Sequence, residues 1–336
     1  MYRWAEATRM KLRIDAERWP YRVPFRTAGY VREAIEVIVV SLEQDGRVGR
    51  GEAAGVRYRR ETVGSMTAQI EAVRADLERG VSREALLSLL PSGGARNAVD
   101  CALWDLEAKL NQRPAWHTAG VGPPRPVPTV FTCGAETPER MAADACNYTG
   151  ARAIKVKLTG DPLDLARVAA VRAARPDVWL SIDANQGLTR PAFDRLMPVL
   201  ADNRVSLIEQ PFPAGEDTLL DGLRSPIPIA ADESVQDRSD IPALVGRVQM
   251  INIKLDKCGG LTEGLAMAHL ARSLGLDVMV GNMGNTSLAM APAVLLGQLC
   301  QVNDLDGPLF IVGDRQPSVT YNEGRIVCPE ALWGGI

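Results

Sequence analysis

Apolar and polar positions alternate along the first third of the chain in a way that predicts strands and then helices. Strand-like alternation covers residues 11–17, 36–43 and 47–53. The second and third stretches are joined by Gln44-Asp45-Gly46, which is typical of a hairpin turn. Helical spacing covers residues 61–79, 82–90 and 93–111. We therefore predict an α+β capping domain over residues 1–118.

A segment rich in Pro and Gly, residues 120–128, separates this part from a region of different pattern. Short apolar runs now alternate with amphipathic stretches, as in a repeated βα unit. Eight runs are predicted strands: residues 129–133, 153–157, 179–183, 206–209, 227–232, 250–254, 277–281 and 301–304. The pattern predicts an α/β fold, a (β/α)₈ barrel over residues 119–316. The tail, residues 317–336, has one more strand-like stretch that could return to the capping domain.

Polar residues recur at the ends of the predicted barrel strands. Lys157, Asp183, Glu209, Asp232 and Lys257 follow one another at steps of 26, 26, 23 and 25 residues, close to one βα unit each. The carboxyl ends of barrel strands meet at one mouth, where barrel enzymes place their active sites. These five side chains are therefore expected to converge.

Three of those residues, Asp183, Glu209 and Asp232, are carboxylates that would repel one another at neighbouring positions. An all-oxygen set of this kind suits Mg²⁺. The alternative is three separate acids, each paired with an arginine or a helix N-terminus. Asn185 and Glu233 lie beside these residues and are expected to orient them rather than to bind the metal.

Lysine is rare here, with six residues among 38 basic ones, and four of the six fall in two short segments. Lys155 and Lys157 are two apart on one strand and share a face. The charge of Lys155 would favour a neutral amine on Lys157, which we predict to be a base. Lys257 comes four strands later, half of an eight-stranded ring, and is predicted to be a second base opposite the first. Lys254 is expected to bridge a neighbouring carboxylate.

Two opposed bases beside a divalent metal are what proton abstraction next to a carboxylate requires. If one lysine removes the proton and the other returns one from the opposite face, the stereocentre is inverted. The residues therefore predict a racemisation or epimerisation. A Schiff-base aldolase, which needs one lysine and no metal, and a peptide-binding sensor remain alternatives.

Composition narrows the remaining classes of protein. Hydrophobic residues make up 46% of the chain and the net charge is −3, so disorder and nucleic-acid binding are not indicated. No apolar run approaches the roughly 20 residues of a membrane span, and no secretory leader is apparent, so we expect a cytoplasmic protein with no membrane partner. A homo-oligomer is compatible with the sequence. The six cysteines lack CxxC spacing, and two histidines are too few for a histidine-rich metal site.

The combination of motifs resembles the enolase superfamily, muconate-lactonising subgroup, over the whole chain. The motifs that carry this resemblance are Lys155-Val-Lys157, Asp183-Ala-Asn185, Glu209-Gln-Pro211, Asp232-Glu-Ser234 and Lys254-Leu-Asp-Lys257-Cys-Gly-Gly260. The resemblance implies a capping domain on a modified TIM barrel, one Mg²⁺ on the three carboxylates, and Lys157 and Lys257 as acid/base residues.

Within the subgroup, Asp304-Leu-Asp306 resembles the signature of dipeptide epimerases, which implies that the pair binds the α-ammonium of a dipeptide. Residues 95–106 and 252–265 resemble the branch that acts on L-Ala-D/L-Glu. This implies an acidic second residue held by an arginine of the capping loops, for which we predict Arg26. Epimerisation of another dipeptide remains an alternative. So do the reactions of o-succinylbenzoate synthase and muconate cycloisomerase, although their substrates carry no ammonium.

Overall fold

The computed structural model describes the backbone of residues 9–27 and 30–336, and the side chains of residues 9–24 and 31–336. The capping domain begins with an antiparallel sheet of three strands in chain order: β1 (Lys11–Thr27), β2 (Tyr30–Gln44) and β3 (Arg47–Ala53). Five helices follow: α1 (Val63–Ala72), α2 (Arg74–Glu78), α3 (Arg83–Leu89), α4 (Gly94–Leu110) and α5 (Ala115–Thr118). The strands and helices predicted for this part are thus present.

The helix predicted over residues 61–79 is divided in two. Val73 leaves helical torsion angles at φ −114°, ψ 12°, and the chain resumes as α2. Arg74 then donates hydrogen bonds to the carbonyl of Leu12 and to the carboxylates of Glu71 and Glu78, which bonds α2 to the first strand. A tertiary contact therefore interrupts a pattern that is locally helical.

Eight parallel strands form the second domain, and they lie side by side in chain order. They are β5 (Phe131–Cys133), β6 (Ala153–Lys157), β7 (Trp179–Asp183), β8 (Val205–Glu209), β9 (Ile229–Ala231), β10 (Met250–Lys254), β11 (Asp277–Gly281) and β12 (Val302–Asn303). The first and last strands meet where the Val130 N–H donates to the carbonyl of Asn303 at 2.8 Å. This contact closes the curved sheet, and the predicted barrel is confirmed.

Helices cover most of the barrel crossovers. They are α6 (Pro138–Asn147), α7 (Asp164–Ala174), α8 (Arg190–Asp202), α9 (Ile241–Leu244), α10 (Leu255–Cys258), α11 (Leu261–Ser273) and α12 (Ser287–Gly297). After β8 the crossover carries only a 3₁₀ turn, Asp217–Leu220, in a segment interrupted by Pro211 and Pro213. The βα repeat is thus modified at this point.

A third, small sheet joins the tail to the start of the barrel. It contains β4 (Val127–Pro128), β13 (Thr320–Asn322) and β14 (Arg325–Val327). The last residues reach the capping domain, where Trp333 Nε1 donates to the carbonyl of Cys101 at 3.0 Å and the Gly334 N–H donates to Asp105 at 2.8 Å. The exact domain boundaries at 118 and 316 stay predictions.

Inside the barrel, side chains separate into an apolar base and a polar mouth. Leu207, Ala230, Met250 and Met279 pack together as a small buried cluster. Two residues after Leu207, Ala230 and Met250 come the polar side chains of Glu209, Asp232 and Asn252, on the same face. The register brings the polar ends level, since Lys157 pairs with Asp183 and Asp183 pairs with Glu209.

The capping sheet contacts α4 through glycines. A Cβ atom at Gly51 would lie 2.1 Å from the carbonyl oxygen of Ala98, and one at Gly49 would lie 2.2 Å from that of Ala102. The helix can therefore lie directly on the strand backbone only because β3 has no side chain at these two positions.

We predict that Gly51→Ala destabilises the protein by about 1–3 kcal/mol, because the added methyl group has no space against backbone atoms. Urea unfolding followed by circular dichroism measures the change. Gly122→Ala is the control, since a Cβ there meets nothing within 4 Å. Equal stability of the Gly51 and Gly122 variants would contradict the close sheet–helix contact.

Candidate active site

The predicted lysines and carboxylates meet at the barrel mouth, where all of them are buried. Lys157 donates to Asp183 at 2.5 Å and to Asn185 at 3.1 Å. Lys155, on the same face of β6, donates to Glu209 at 3.3 Å, forms a shorter contact with Asp304, and lies 3.7 Å from Asp183. One ammonium thus reaches carboxylates from three different strands or strand ends.

Asp232, just after β9, accepts from two lysines. Lys254 donates to Oδ2 and Lys257 donates to Oδ1, both at 2.6 Å. Burial alone would raise the pKa of Asp232, but the two ammonium groups hold it far below its usual range. The bridging contact predicted for Lys254 is present.

Lys257 differs in setting from Lys157. It lies on the short helix α10, not on a strand, and its ammonium also donates to the carbonyls of Asp232 and Asn252 at 2.5 and 3.0 Å. Lys157 lines the cavity at the mouth, whereas Lys257 is covered, with 1% of its surface exposed. Burial lowers the pKa of Lys257, and Asp232 opposes this shift. The predicted opposition of the two lysines across a substrate stays a prediction.

The barrel contributes more buried acid than base to this site. Four lysines, Lys155, Lys157, Lys254 and Lys257, face six carboxylates, Asp183, Glu209, Asp232, Glu233, Asp304 and Asp306. Burial and neighbouring acids raise the pKa of Glu209, Glu233 and Asp306 to about 7 each. At this site the buried carboxyl groups thus outnumber the buried ammonium groups by two.

A divalent cation fits this imbalance and the oxygen donors present. Asp183, Glu209 and Asp232 end neighbouring strands, and lysines occupy their oxygens. Among the side chains of residues 9–24 and 31–336, no three acidic, histidine or cysteine groups already converge as a metal site. The three predicted ligands thus lie at neighbouring strand ends and carry negative charge that could balance Mg²⁺. Their metal-binding role stays a prediction.

Neighbouring amides orient these carboxylates. Asn185 donates through its backbone N–H to Asp183 at 2.8 Å and through its side chain to Glu233 at 3.4 Å. Asn252, which sequence reasoning missed, donates to Glu209 at 2.7 Å. It lies two residues before Lys254, so the strand periodicity could have indicated it.

Asp304 and Asp306 both line the cavity, at the end of β12. Oδ2 of Asp304 accepts from Lys155, while its Oδ1 is buried without a hydrogen-bond partner. Asp306 accepts from the Thr132 backbone N–H at 2.7 Å. Burial, followed by the charge of Asp304, raises the pKa of Asp306 to about 7. This pair is therefore suited to a cationic ligand group.

The capping domain covers the mouth with residues that sequence reasoning did not single out. Tyr21 and Tyr58 line the cavity together with Met283 and Phe310 of the barrel. Tyr58 exchanges hydrogen bonds with Gln236, which in turn donates to the carbonyl of Glu233 at 2.7 Å. These contacts join the capping loop to the residue beside Asp232.

The arginine predicted to bind the substrate side chain cannot be placed. The backbone of Arg26 belongs to β1, but its side chain lies outside the described residues. Arg32, on β2, does line the cavity, and its Nη1 donates to the carbonyl of Met283 at 3.4 Å. The capping domain thus brings an arginine to the site at position 32, which is different from the predicted position 26.

Asp256 is a further buried acid next to Lys257 on α10. Its Oδ1 accepts from the backbone N–H groups of Ala54 and Gly55, at 2.9 and 3.1 Å. Burial raises its pKa to about 7, and the charges of Glu61 and Glu52 add to this. The capping loop is thereby bonded to the helix that carries Lys257.

A capping domain on a barrel, with buried lysines and carboxylates at the barrel mouth, is typical of a class of barrel enzymes. Comparison with known protein families identifies the family to which this chain belongs. Residues 9–120 match the mandelate racemase/muconate lactonizing enzyme N-terminal domain, and residues 139–331 match the enolase C-terminal domain-like family. The chain belongs to this branch of the enolase superfamily, as its motifs predict.

Relatives with stated activities are isomerases. L-Ala-D/L-Glu epimerase of Escherichia coli (strain K12) is 40% identical over 94% of this chain and 98% of that protein. N-acetyl-D-glutamate racemase of Pseudoalteromonas sp is 39% identical over 85% of this chain and 91% of that protein.

Solved structures agree in fold. An enolase family member from Agrobacterium tumefaciens with bound sodium and L-Ala-L-Glu has a TM-score of 0.94 and 39% identity, covering 97% of this chain and 100% of that one. A dipeptide epimerase from Methylococcus capsulatus, complexed with Mg and L-Arg-D-Lys, has a TM-score of 0.88 and 29% identity, covering 96% and 97%. In this chain, no helix of the described part is long and apolar enough to cross a membrane.

We predict that Asp256→Asn changes the pH dependence of stability. The folded state disfavours the ionised carboxylate, so the wild-type free energy of unfolding falls as pH rises from about 4 to about 7. Asparagine does not ionise, so the variant should gain about 1–4 kcal/mol relative to wild type over that window. Urea unfolding at pH 5 and pH 8 measures this gain. A difference independent of pH would show that folding does not shift the pKa of Asp256.

Proposed function

We propose that the chain is a Mg²⁺-dependent dipeptide epimerase that inverts the α-carbon of the C-terminal residue, with L-Ala-D/L-Glu as the preferred substrate pair. The proposal rests on the arrangement of charged residues at the barrel mouth. Lys157 is bonded to Asp183 and Lys257 to Asp232, on opposite halves of the strand order, beside an acidic pair at Asp304 and Asp306. The named activities of the relatives support the same reaction class.

Asp183, Glu209 and Asp232 would hold the metal, and Asn185, Asn252 and Glu233 would orient these ligands. The bound ion would stabilise the negative charge that develops on the substrate carboxylate when the α-proton leaves. Lysine contacts with these three carboxylates would then give way, which would release Lys157 and Lys257 for proton transfer.

The two lysines are proposed to act in turn. One neutral amine takes the α-proton, the C–H electron pair moves toward the substrate carboxylate, and the ammonium of the other lysine supplies a proton on the opposite face. In the reverse direction the roles exchange. Lys155 keeps its charge in this scheme, because burial, which would lower its pKa, is outweighed by Asp304, Glu209 and Asp183, which raise it.

Asp304 and Asp306 are proposed to bind the α-ammonium of the dipeptide. The buried Oδ1 of Asp304 has no hydrogen-bond partner, and burial, followed by the charge of Asp304, raises the pKa of Asp306. The substrates of o-succinylbenzoate synthase and muconate cycloisomerase carry no ammonium, so these features disfavour both rival reactions.

A cationic residue of the capping loops would select an acidic second residue. Arg26 remains our prediction for this role, and Arg32 is the alternative because it lines the cavity. Cytoplasmic processing of murein peptides would supply Ala-Glu dipeptides to such an enzyme.

Racemisation of N-acetylglutamate is the second candidate, because a relative of nearly equal identity has that name. This substrate has an acetyl group where the dipeptide has alanine and therefore lacks the ammonium. The two candidates differ in whether Asp304 and Asp306 contribute to substrate binding.

The proposed function is tested by incubating L-Ala-L-Xaa dipeptides and N-acetyl-L-glutamate with the enzyme and Mg²⁺ in D₂O. Mass spectrometry should show a one-dalton gain on the C-terminal residue, largest for L-Ala-L-Glu, together with formation of the D epimer. EDTA should abolish both changes, because the carboxylate would no longer be stabilised. Exchange with N-acetylglutamate alone would favour the racemase.

Asp304→Asn is the matched variant for this experiment. It should lower kcat/KM for the dipeptide by about 10–1000-fold, since a buried charge-assisted contact contributes a few kcal/mol. Turnover of N-acetylglutamate should fall much less. Equal losses on both substrates would contradict recognition of the ammonium by this pair.

A further inference from the structure

The ammonium groups of the two proposed bases both donate to barrel residues, but the backbone segments that carry them have different support. Lys157 is the last residue of β6, and its ammonium donates to the barrel residues Asp183 and Asn185. Lys257 belongs to the four-residue helix α10, which follows the end of β10. Four residues are too few to form a stable helix alone. The position of Lys257 therefore depends on what α10 contacts.

The capping domain supplies the contact at the start of α10. Both the Ala54 and the Gly55 N–H groups donate to a single oxygen, Oδ1 of Asp256, which lies one residue before Lys257. Asp256 is 4% exposed, so these hydrogen bonds are shielded from water. Arg59, from the same capping loop, donates to the carbonyl of Lys257 at 3.4 Å.

The capping helix α4 supplies the contact at the end of α10. Arg96 donates to the carbonyls of Cys258 and Gly259, at 2.6 and 3.3 Å. Gly259 and Gly260 have φ angles of +81° and +117°, and a Cβ at Gly259 would lie 2.3 Å from Nε of Arg96. The turn after Lys257 is therefore shaped to lie directly against the cap.

We propose that Asp256 is a positioning residue through which the capping domain fixes Lys257, an inference that rests on the proposed function because it takes Lys257 as a base. Residues 54 and 55 lead directly into the loop that brings Tyr58 to the cavity. A cap seated over the mouth thus also sets the second base, whereas Lys157 needs only the barrel. Because both hydrogen bonds end on one oxygen, positioning requires an acceptor at Oδ1 of residue 256 and does not require a negative charge there.

The test follows the fate of the α-proton for each epimer separately, in D₂O with Mg²⁺. The ratio measured is deuterium in recovered, uninverted substrate against deuterium in inverted product. In Asp256→Ala a displaced Lys257 delivers protons poorly, so substrate deprotonated by Lys157 is deuterated again from the same side. That ratio should rise about 10-fold or more for this epimer, since displacement by about 1 Å can cost about 100-fold.

For the opposite epimer, which must lose its proton to Lys257, exchange and inversion should slow together and the ratio should not rise. A loss that merely reflects a weaker fold would lower both epimers alike and leave both ratios unchanged. A deuterium ratio that rises for one epimer only therefore distinguishes a loss of positioning from a loss of stability.

Two variants serve as controls. Asp256→Asn keeps the Oδ1 acceptor and should restore the wild-type ratio. Asp105→Asn alters another buried carboxylate that accepts two backbone N–H groups, those of Arg50 and Gly334, far from the mouth. It should leave both ratios unchanged. If Asp256→Ala does not fold, Asp256→Ser carries the same expectation, because serine is too short to reach both N–H groups.

Equal changes for the two epimers, or wild-type ratios in Asp256→Ala and Asp256→Ser, would overturn the inference while leaving the proposed function intact. An Asp256→Asn variant as impaired as Asp256→Ala would also overturn it. A wild-type enzyme that exchanges no α-proton in any dipeptide or in N-acetylglutamate would overturn the proposed function, and the inference with it.

Discussion

An excess of buried acidic groups at the barrel mouth is the constraint on which the rest of the structure depends. Six carboxylates lie within reach of four ammonium groups, nearly all shielded from water. An unpaired carboxylate in such surroundings is costly, and burial, together with neighbouring acids, raises the pKa of Glu209, Glu233 and Asp306. The excess acid is what a divalent cation and a substrate ammonium would balance.

This constraint explains why the barrel needs a cap. The β1 strand contacts the barrel at an irregularity in its pairing with β2, where Tyr21 bridges to Ile311 and the Arg22 N–H donates to the carbonyl of Phe310 at 2.7 Å. The covering residues exclude water, which strengthens every charge interaction beneath them. A network of Glu52, Thr286 and Arg315 joins the two domains on another side of the mouth.

The residues that the sequence predicts are those carried by a regular repeat. Lys157, Asp183 and Glu209 are in register because strand periodicity and the βα spacing are local properties. The helical position of Lys257 and the acceptor role of Asp256 depend on contacts between the two domains. The contacting residues are more than 200 positions apart in the chain. No spacing rule encodes such contacts, and for the same reason the cavity-lining tyrosines escaped prediction.

The central claim is that Lys157 and Lys257 serve opposite faces of one carbon, and paired single substitutions test it most directly. Each epimer of Ala-Glu is incubated with Lys157→Ala and with Lys257→Ala in D₂O, and exchange is followed by NMR. We expect that neither variant inverts the substrate and that each still exchanges the α-proton of a different epimer. Loss of exchange from the same epimer in both variants, or inversion at the wild-type rate in either, would contradict it.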